Sequence, residues 1–320
     1  MEPMKKILTF GTYLKRRFGR PVRKVPLSIA GFTCPNIDGK VAKGGCTYCE
    51  NESFSPNLAG EKGKFFLRDD SPENPLLERQ LAQVAAQYRQ TAARLRETTG
   101  ARAFLAYFQS FTNTYAPAAT LEPLYRKALS MKGCVGLSVG TRGDSVNDAV
   151  LDLLAELSRE HEVWVEYGVQ SVFDDTLKAI NRGEVFEQVK EAILRSKKRG
   201  LKVCAHLIFG LPGETQEMML KSVEETLLLG VDSIKIHPLY VTRNTALAAE
   251  FLKGKFVPIE KDVYIETLVK AMKMLPEHVS VQRITAGIDS DSLLGPAWCR
   301  EKNRLTGEIR NALRKEGMAY

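Results

Sequence analysis

Three cysteines near the amino terminus are the residues most able to do chemistry. Cys34 is followed by eleven residues and then by Cys46 and Cys49, which are two residues apart. Thiolates are soft ligands that select zinc, copper(I) or iron-sulfur clusters, and a two-residue gap lets two sulfur atoms reach one centre. Three ligands leave a fourth position of a 4Fe-4S cluster open for a cofactor or substrate, so the spacing favours a catalytic cluster.

A structural zinc site is the alternative that this spacing leaves open. Such sites are closed by four protein ligands, which are usually close in sequence. The histidines that could supply a fourth ligand all lie far beyond the loop, at His161, His206, His237 and His278. The sequence therefore favours a cluster, with zinc as the second interpretation.

Composition bounds the class of protein and its compartment. The 320 residues are 44% hydrophobic and 26% charged, which argues against a disordered or fibrous chain. Six cysteines are too few and too scattered for a disulfide framework. Residues 1–9 lack the apolar region of a secretory signal, and no stretch approaches the roughly 18 apolar residues of a membrane span. We expect a cytoplasmic protein without membrane contact.

The elements around the cysteines alternate between strands and helices. A first strand is predicted at Val25–Ala30, directly before the cysteine loop, and a helix after it that Ser71 caps and Pro72 opens. Further apolar runs predict strands at Ala103–Phe108, Cys134–Val139, Val163–Val169, Lys202–Phe209 and Ser233–Pro238. Helical patterns separate them near Leu121–Met131, Ala149–Arg159, Val185–Arg199 and Gln216–Leu229.

Six strands separated by helices predict an α/β protein with a parallel sheet, because such crossovers are right-handed and cover the sheet with helices. Neither a G-x-G-x-x-G nor a G-x-x-x-x-G-K-[ST] pattern occurs, so an incomplete (β/α)6 barrel is favoured over an open nucleotide-binding sheet. Its chemistry is expected at the carboxyl ends of the strands. The predicted divisions are a basic segment at 1–24, the barrel at 25–240 with its cluster loop at 31–55, and an extension at 241–320 with helices near Lys261–Met274 and Glu301–Arg314.

Motifs along nearly the whole chain resemble the radical S-adenosylmethionine (SAM) superfamily, and closely its YhcC/YtqA-type group. That group is related to the catalytic subunit of Elongator and to oxygen-independent coproporphyrinogen oxidase. The resemblance lies in GFTCPNIDGKVAKGGCTYC at 31–49, AYFQSFTNTYAP at 106–117, VGTRGDSV at 139–146, VWVEYGVQSVFDDTLKAINRG at 163–183, GLKVCAHLIFGLPGET at 200–215, IKIHPL at 234–239 and PAWC at 296–299.

The resemblance implies a TIM-like partial barrel, a 4Fe-4S cluster on the three cysteines, and SAM on the open iron. A reduced cluster would cleave SAM to a 5'-deoxyadenosyl radical that abstracts a substrate hydrogen. The expected SAM contacts are carried over by position. Tyr48, Ile208 and Gly210 would lie at adenine, Gln109, Ser110 and Thr112 at the methionine amino group, and Arg142 at the methionine carboxylate. Gln170 would contact the ribose, and Glu166 and Arg182 would lie near the cofactor. For Tyr48 and Arg142, ordinary loop anchoring is the alternative.

Three further side chains are candidate catalytic residues. Lys235 and His237 alternate with apolar neighbours at the end of the sixth predicted strand, which points both toward the same face. His206 lies on the fifth predicted strand, where a hydrogen-bonded core histidine is the alternative interpretation. We expect the first two to face the substrate.

A basic run bears on the partner. The net charge is +8, and Lys15, Arg16, Arg17, Arg20, Arg23 and Lys24 are interleaved with Tyr13 and Phe18, a composition that suits phosphates and stacked bases. The alternative is that these basic residues form an ordinary solvated face of a helix. With the Elongator relationship, the run favours tRNA as substrate, at a wobble-uridine side chain.

A small metabolite or a protein is the alternative substrate, and a zinc-stabilised RNA-binding module is the non-enzymatic alternative. Flavodoxin or ferredoxin is the expected kind of electron donor.

Overall fold

A curved sheet of seven parallel strands forms the centre of the protein. The structure is a computed structural model, and it describes residues 4–50, 66–288 and 291–320. The sheet order is β2-β3-β4-β5-β6-β7-β9. Its strands are β2 (Val22–Leu27), β3 (Ala103–Phe108), β4 (Cys134–Thr141), β5 (Glu162–Gln170), β6 (Lys202–Phe209), β7 (Ser233–Pro238) and β9 (Ser280–Arg283). The predicted α/β partial barrel is confirmed.

One predicted strand needs correction, and one strand was not predicted. The first strand begins at Val22 rather than Val25, because Arg23, Lys24 and Pro26 interrupt the apolar pattern of an edge strand. The sheet also has a seventh strand, β9, which lies within the segment predicted as an extension. Its four residues, SVQR, include a single apolar side chain, so no apolar run marks it in the sequence.

Helices cover the sheet and close its ends. They are α1 (Phe10–Phe18), α2 (Pro35–Asp38), α3 (Leu77–Thr99), α4 (Ala118–Leu129), α5 (Asp148–Leu157), α6 (Asp174–Ala179), α7 (Phe186–Lys198), α8 (Gln216–Leu228), α9 (Ala246–Leu252), α10 (Lys261–Met274) and α11 (Lys302–Lys315). Two small strand pairs add to this frame: β1 (Lys5–Lys6) with β11 (Met318–Ala319), and β8 (Val241–Thr242) with β10 (Leu293–Gly295). In the described residues, no helix has the length and apolar character needed to cross a bilayer.

The start of α3 was predicted wrongly. Ser71 and Pro72 lie outside the helix, which begins six residues after Ser71, at Leu77. The Ser71 hydroxyl instead accepts a hydrogen bond from the backbone of Arg68. Asn74 holds the helix start, since its side chain accepts from the Leu76 N–H and donates to Gln80. A local hydrogen bond therefore outcompeted the expected cap.

The helix α1 closes the amino-terminal end of the barrel. Phe10 packs edge-on against Trp164 at 5.0 Å between ring centroids, and Leu14 is buried in the same cluster at the amino-terminal ends of the strands. The preceding backbone joins the edge strand β9, because the carbonyl of Leu8 accepts from the Val281 N–H at 2.8 Å. The chain thus closes the gap between β2 and β9 on the side opposite the cysteines.

This position changes the interpretation of the basic run. Tyr13 packs edge-on against Trp164 and its hydroxyl donates to Glu162 at 2.7 Å, so its ring is part of the folded core. Lys24 points into the barrel and forms an ion pair with Glu166. The assignment of these two residues to nucleic-acid contact is therefore wrong. The other cations of the run are exposed at the closed end of the barrel: Lys15, Arg16, Arg17, Arg20 and Arg23.

We predict that Leu14→Ala lowers the free energy of unfolding by about 2–5 kcal/mol, because it leaves a cavity in a fully packed cluster. The neighbouring variant Lys15→Ala removes an exposed side chain and should change it by less than about 0.5 kcal/mol. Urea unfolding of both proteins tests this. Equal stability of the two variants would show that α1 does not seal the barrel.

Candidate active site

The three cysteines lie around one cavity at the carboxyl ends of the strands. The helix α2 begins directly after Cys34, with Pro35 in its first turn. Asn36 then donates to the Asn181 carbonyl at 2.6 Å and to the Cys46 sulfur at 3.5 Å. A tight turn joins the other two cysteines, since the Cys49 N–H donates to the Cys46 carbonyl at 3.0 Å. The loop is therefore anchored to the residues that follow α6.

The electrostatics of the thiols fit a cationic centre. Burial, together with the neighbouring Cys46 and Cys34, raises the pKa of Cys49 to about 12. Three thiolates cannot share this space unless positive charge lies among them. The Arg182 guanidinium contacts the Cys46 sulfur at 3.9 Å, and N–H donors to sulfur are a common feature of iron-sulfur sites. The donor set thus fits an iron-sulfur cluster.

Two buried arginines on the cavity wall have acidic partners. Arg142 binds Asp144 through two nitrogens, at 2.9 and 2.6 Å, and its third nitrogen donates to the Arg182 carbonyl at 3.0 Å. Arg182 forms an ion pair with Glu184 at 2.9 Å and donates to the Gly168 carbonyl at 2.8 Å. The predicted roles of both arginines toward SAM stay predictions. Their side chains are already held in place by the protein.

A single carboxylate organises the floor of the cavity. One oxygen of Glu166 binds Lys24 and Ser138, while the other accepts from His206 at 2.7 Å and from Lys235 at 2.6 Å. Burial alone would raise the pKa of this carboxyl group, but the Lys235 and Lys24 ammonium groups and the His206 hydrogen bond hold it well below its usual range. Glu166 is thus an anion at neutral pH.

This network takes one side chain from each of the seven strands. Lys24 on β2 also donates to Gln282 on β9 at 2.6 Å, and Lys235 on β7 donates to Tyr107 on β3 at 3.2 Å. A buried charge is stable only when it is paired and hydrogen-bonded. The sheet must therefore adopt the one curvature that brings these partners to Glu166. Its side chain has no free oxygen for a cofactor, and its predicted contact with SAM stays a prediction.

Burial keeps both histidines of the cavity neutral. Burial and the nearby Lys235 ammonium group lower the pKa of His206 to about 3, so the ring donates to Glu166 as a neutral imidazole. Burial also lowers the pKa of His237 to about 4. Its Nδ1 lies 3.1 Å from the Pro238 carbonyl, which can only accept, so Nδ1 carries the proton and Nε2 is a base. His237 lines the cavity and can accept a proton there.

Most of the predicted site residues share this cavity. Besides those already described, its lining includes Tyr48, Gln109, Thr112, Gln170 and Ile208. The Gln170 side-chain oxygen is buried and has no hydrogen-bond partner among residues 4–50, 66–288 and 291–320, which leaves an acceptor for a ligand hydroxyl.

Two predicted contacts do not reach the cavity lining. Ser110 is buried and pairs with Ser28 at 2.5 Å. Gly210 packs against Ile259, where an added Cβ would come within 2.7 Å of that side chain.

Several residues of the site were not identified from the sequence. Tyr107, Ser138 and Gln282 lie in strands and complete the Glu166 network. The alternation of β3 and β4 could have placed the first two inward, beside Glu166. Asn36 also went unrecognised, although its place two residues after Cys34 is a local signal.

The fold and the cysteine cavity define a radical SAM enzyme, and the family comparison agrees. The chain belongs to the Radical SAM superfamily, whose model matches residues 39–226, and the Radical_SAM C-terminal domain matches residues 231–315. Members use a 4Fe-4S cluster and SAM, and this protein is therefore an enzyme with these cofactors. The non-catalytic zinc alternative is wrong.

Within the superfamily, the relatives belong to the group that the motifs indicated. Protein YhcC of Escherichia coli K12 is 38% identical over 97% of this chain and 92% of its own length. YtqA of Bacillus subtilis is 34% identical over 98% of this chain and 91% of its own. A tRNA uridine(34) acetyltransferase of Methanocaldococcus infernus is 29% identical, over 58% of this chain and 34% of that protein.

A solved structure supports the fold. The Elp3 protein of Methanocaldococcus infernus, with an N-terminal deletion, superposes with a TM-score of 0.63 at 21% identity. The match covers 92% of this chain and 63% of that chain, so this protein spans less than two thirds of the archaeal one. At this identity the similarity establishes the partial barrel and nothing finer.

The neutral His237 generates a prediction for stability against pH. The unfolded chain binds a proton at this residue as the pH falls below about 6.5, whereas the folded protein resists until about 4. Between these values the wild-type free energy of unfolding should fall with decreasing pH by about 1.4 kcal/mol per unit more than that of His237→Gln. Urea unfolding of the apoprotein at several pH values measures the slope. His278→Gln removes an exposed histidine and should leave the slope of the wild type unchanged.

Proposed function

We propose that this enzyme holds its cluster on Cys34, Cys46 and Cys49 and modifies the side chain of a tRNA uridine. The observation that carries the proposal is the single cavity, in which the three thiols share a space with Lys235, His237 and the Glu166 network. When bound, the cluster and SAM supply a 5'-deoxyadenosyl radical, formed with one electron from a carrier such as flavodoxin or ferredoxin, that removes a hydrogen atom from a substrate C–H bond.

The residues of the chain divide into three tasks in this proposal. Asn36 and Arg182 orient Cys46 through N–H groups that contact its sulfur. Gln170 offers a buried acceptor to the ribose hydroxyls of SAM. Lys235 and His237 face the substrate, and the lone pair of His237 Nε2 can hold a proton that the substrate gives up.

Relatives support a uridine in tRNA as the substrate. Several proteins with partial similarity to this chain are tRNA uridine(34) acetyltransferases, from two Methanocaldococcus species and from Dehalococcoides mccartyi. The matched stretch covers 58% of this chain in the first of them and 48% in the other two. YhcC and YtqA, which match this chain over about nine tenths of their own length, do not indicate a substrate.

A small metabolite or a protein is the second candidate substrate. It is favoured by the position of α1, whose exposed cations lie at the closed end of the barrel, opposite the cavity. Cations at that end cannot contact the part of a nucleic acid that enters the cavity. Long-range attraction of RNA to the whole basic protein is unaffected by this placement.

The radical chemistry is tested with two cysteine variants. After anaerobic reconstitution with iron and sulfide, wild type should absorb near 400 nm and form 5'-deoxyadenosine from SAM and dithionite. Cys46→Ala should lose both properties, because two thiolates do not hold the cluster. Cys134→Ala, which changes a cysteine outside the cavity, should retain both. Equal activity of Cys46→Ala and wild type would contradict the ligand assignment.

The substrate is tested separately. Nucleosides from tRNA of a strain lacking this gene should show the loss of a modified uridine, and the reconstituted enzyme with SAM and dithionite should act on that tRNA. Formation of 5'-deoxyadenosine should rise when the tRNA is added. An unchanged nucleoside profile and no response to tRNA would support the small-molecule or protein substrate.

A further inference from the structure

Arg283 differs from the other arginines of the cavity because it has no acidic partner in the part of the chain that the structure describes. Arg142 and Arg182 are buried and bind Asp144 and Glu184. Arg283 also lines the cavity but is exposed, and among the described residues no hydrogen bond or ion pair involves its guanidinium. A guanidinium facing a cavity without a partner has five donors free for a ligand.

An irregularity in the last strand brings this side chain into the cavity. The strand β9 pairs with β7 as Ile234 with Val281 and then Lys235 with Arg283, so the register shifts by one residue. Consecutive side chains of a regular strand face opposite sides, but a bulge lets two neighbours share one side. Gln282 therefore reaches Lys24 inside the barrel, while Arg283 lines the cavity beside it.

The charge balance around the cavity favours an anion. Five cationic side chains lie in or beneath it, Lys24, Lys235, Arg142, Arg182 and Arg283, against three carboxylates, Glu166, Asp144 and Glu184. The charge of Arg283 acts on its neighbours, because it adds to burial in lowering the pKa of His237 and of Lys302. An anionic group bound at Arg283 would offset this excess.

We propose that Arg283 binds an anionic oxygen group of the substrate, a phosphate or a carboxylate, at the β7–β9 edge of the cavity beside His237. The guanidinium fork matches both groups through paired hydrogen bonds. The expected SAM contacts lie on the cysteine loop and on or after β3 to β6, which leaves this edge for the substrate. The inference rests on the proposed function, since it assigns the substrate's place in the same cavity.

Two pairs of probes test this site on the reconstituted holoenzyme with SAM. Uridine 5'-phosphate against uridine tests a phosphate, and uracil-5-carboxylate against uracil tests a carboxylate. In wild type the anionic member of at least one pair should bind about tenfold or more tightly than its neutral partner, as charge-assisted hydrogen bonds allow. In Arg283→Gln that preference should fall below about threefold, and Arg283→Lys should recover part of it.

The matched control is Arg243→Gln, which removes an exposed arginine outside the cavity lining that donates to the Asp291 carbonyl. It should keep the wild-type preference. The inference is overturned if wild type prefers neither anion, or if Arg283→Gln retains the preference. Failure of the proposed radical chemistry would appear elsewhere, as absence of 5'-deoxyadenosine from wild type incubated without substrate.

Discussion

The Glu166 carboxylate is the constraint on which the cavity depends. It is fully buried, and its two oxygens bind Lys24, Ser138, His206 and Lys235 from four other strands. An unpaired charge at this depth would be costly, so the strands must curve until all four partners meet it. Removing the carboxylate would leave the Lys24 and Lys235 ammonium groups without their shared anionic partner. The same interaction that closes the barrel thus forms the rigid floor beneath the reacting groups.

The cavity above this floor has two electrostatically distinct sides. On the cysteine side, the arginines are neutralised by Asp144 and Glu184, and their N–H groups and backbone contacts hold the loop that carries the thiols. On the β7–β9 side, His237 is a neutral base and Arg283 is a cation with no acidic partner among the described residues. This asymmetry is consistent with our proposals that the first side holds the cofactors and the second holds the substrate.

Much of the architecture followed from local patterns. The strands β3, β6 and β7 begin and end at the predicted residues, because the apolar side chains of each are buried in a parallel sheet. The edge strands were harder to predict. Polar residues interrupt β2, and β9 is too short to show a pattern. The predicted start of α3 was wrong for a related reason. The Ser71 hydroxyl accepts a hydrogen bond from the Arg68 N–H instead of capping the helix.

The sequence by itself determined the family and the kind of chemistry, because cysteine spacing and strand-end motifs are local properties that the chain carries in order. Only the tertiary structure decided which side chains are free to act. Lys24 belongs by sequence to a basic run, yet it lies inside the barrel as a partner of Glu166, more than one hundred residues away. Arg283 has no distinguishing neighbours in sequence, and a one-residue register shift turns it into the cavity. Such roles depend on long-range pairing of charges, which no local pattern records.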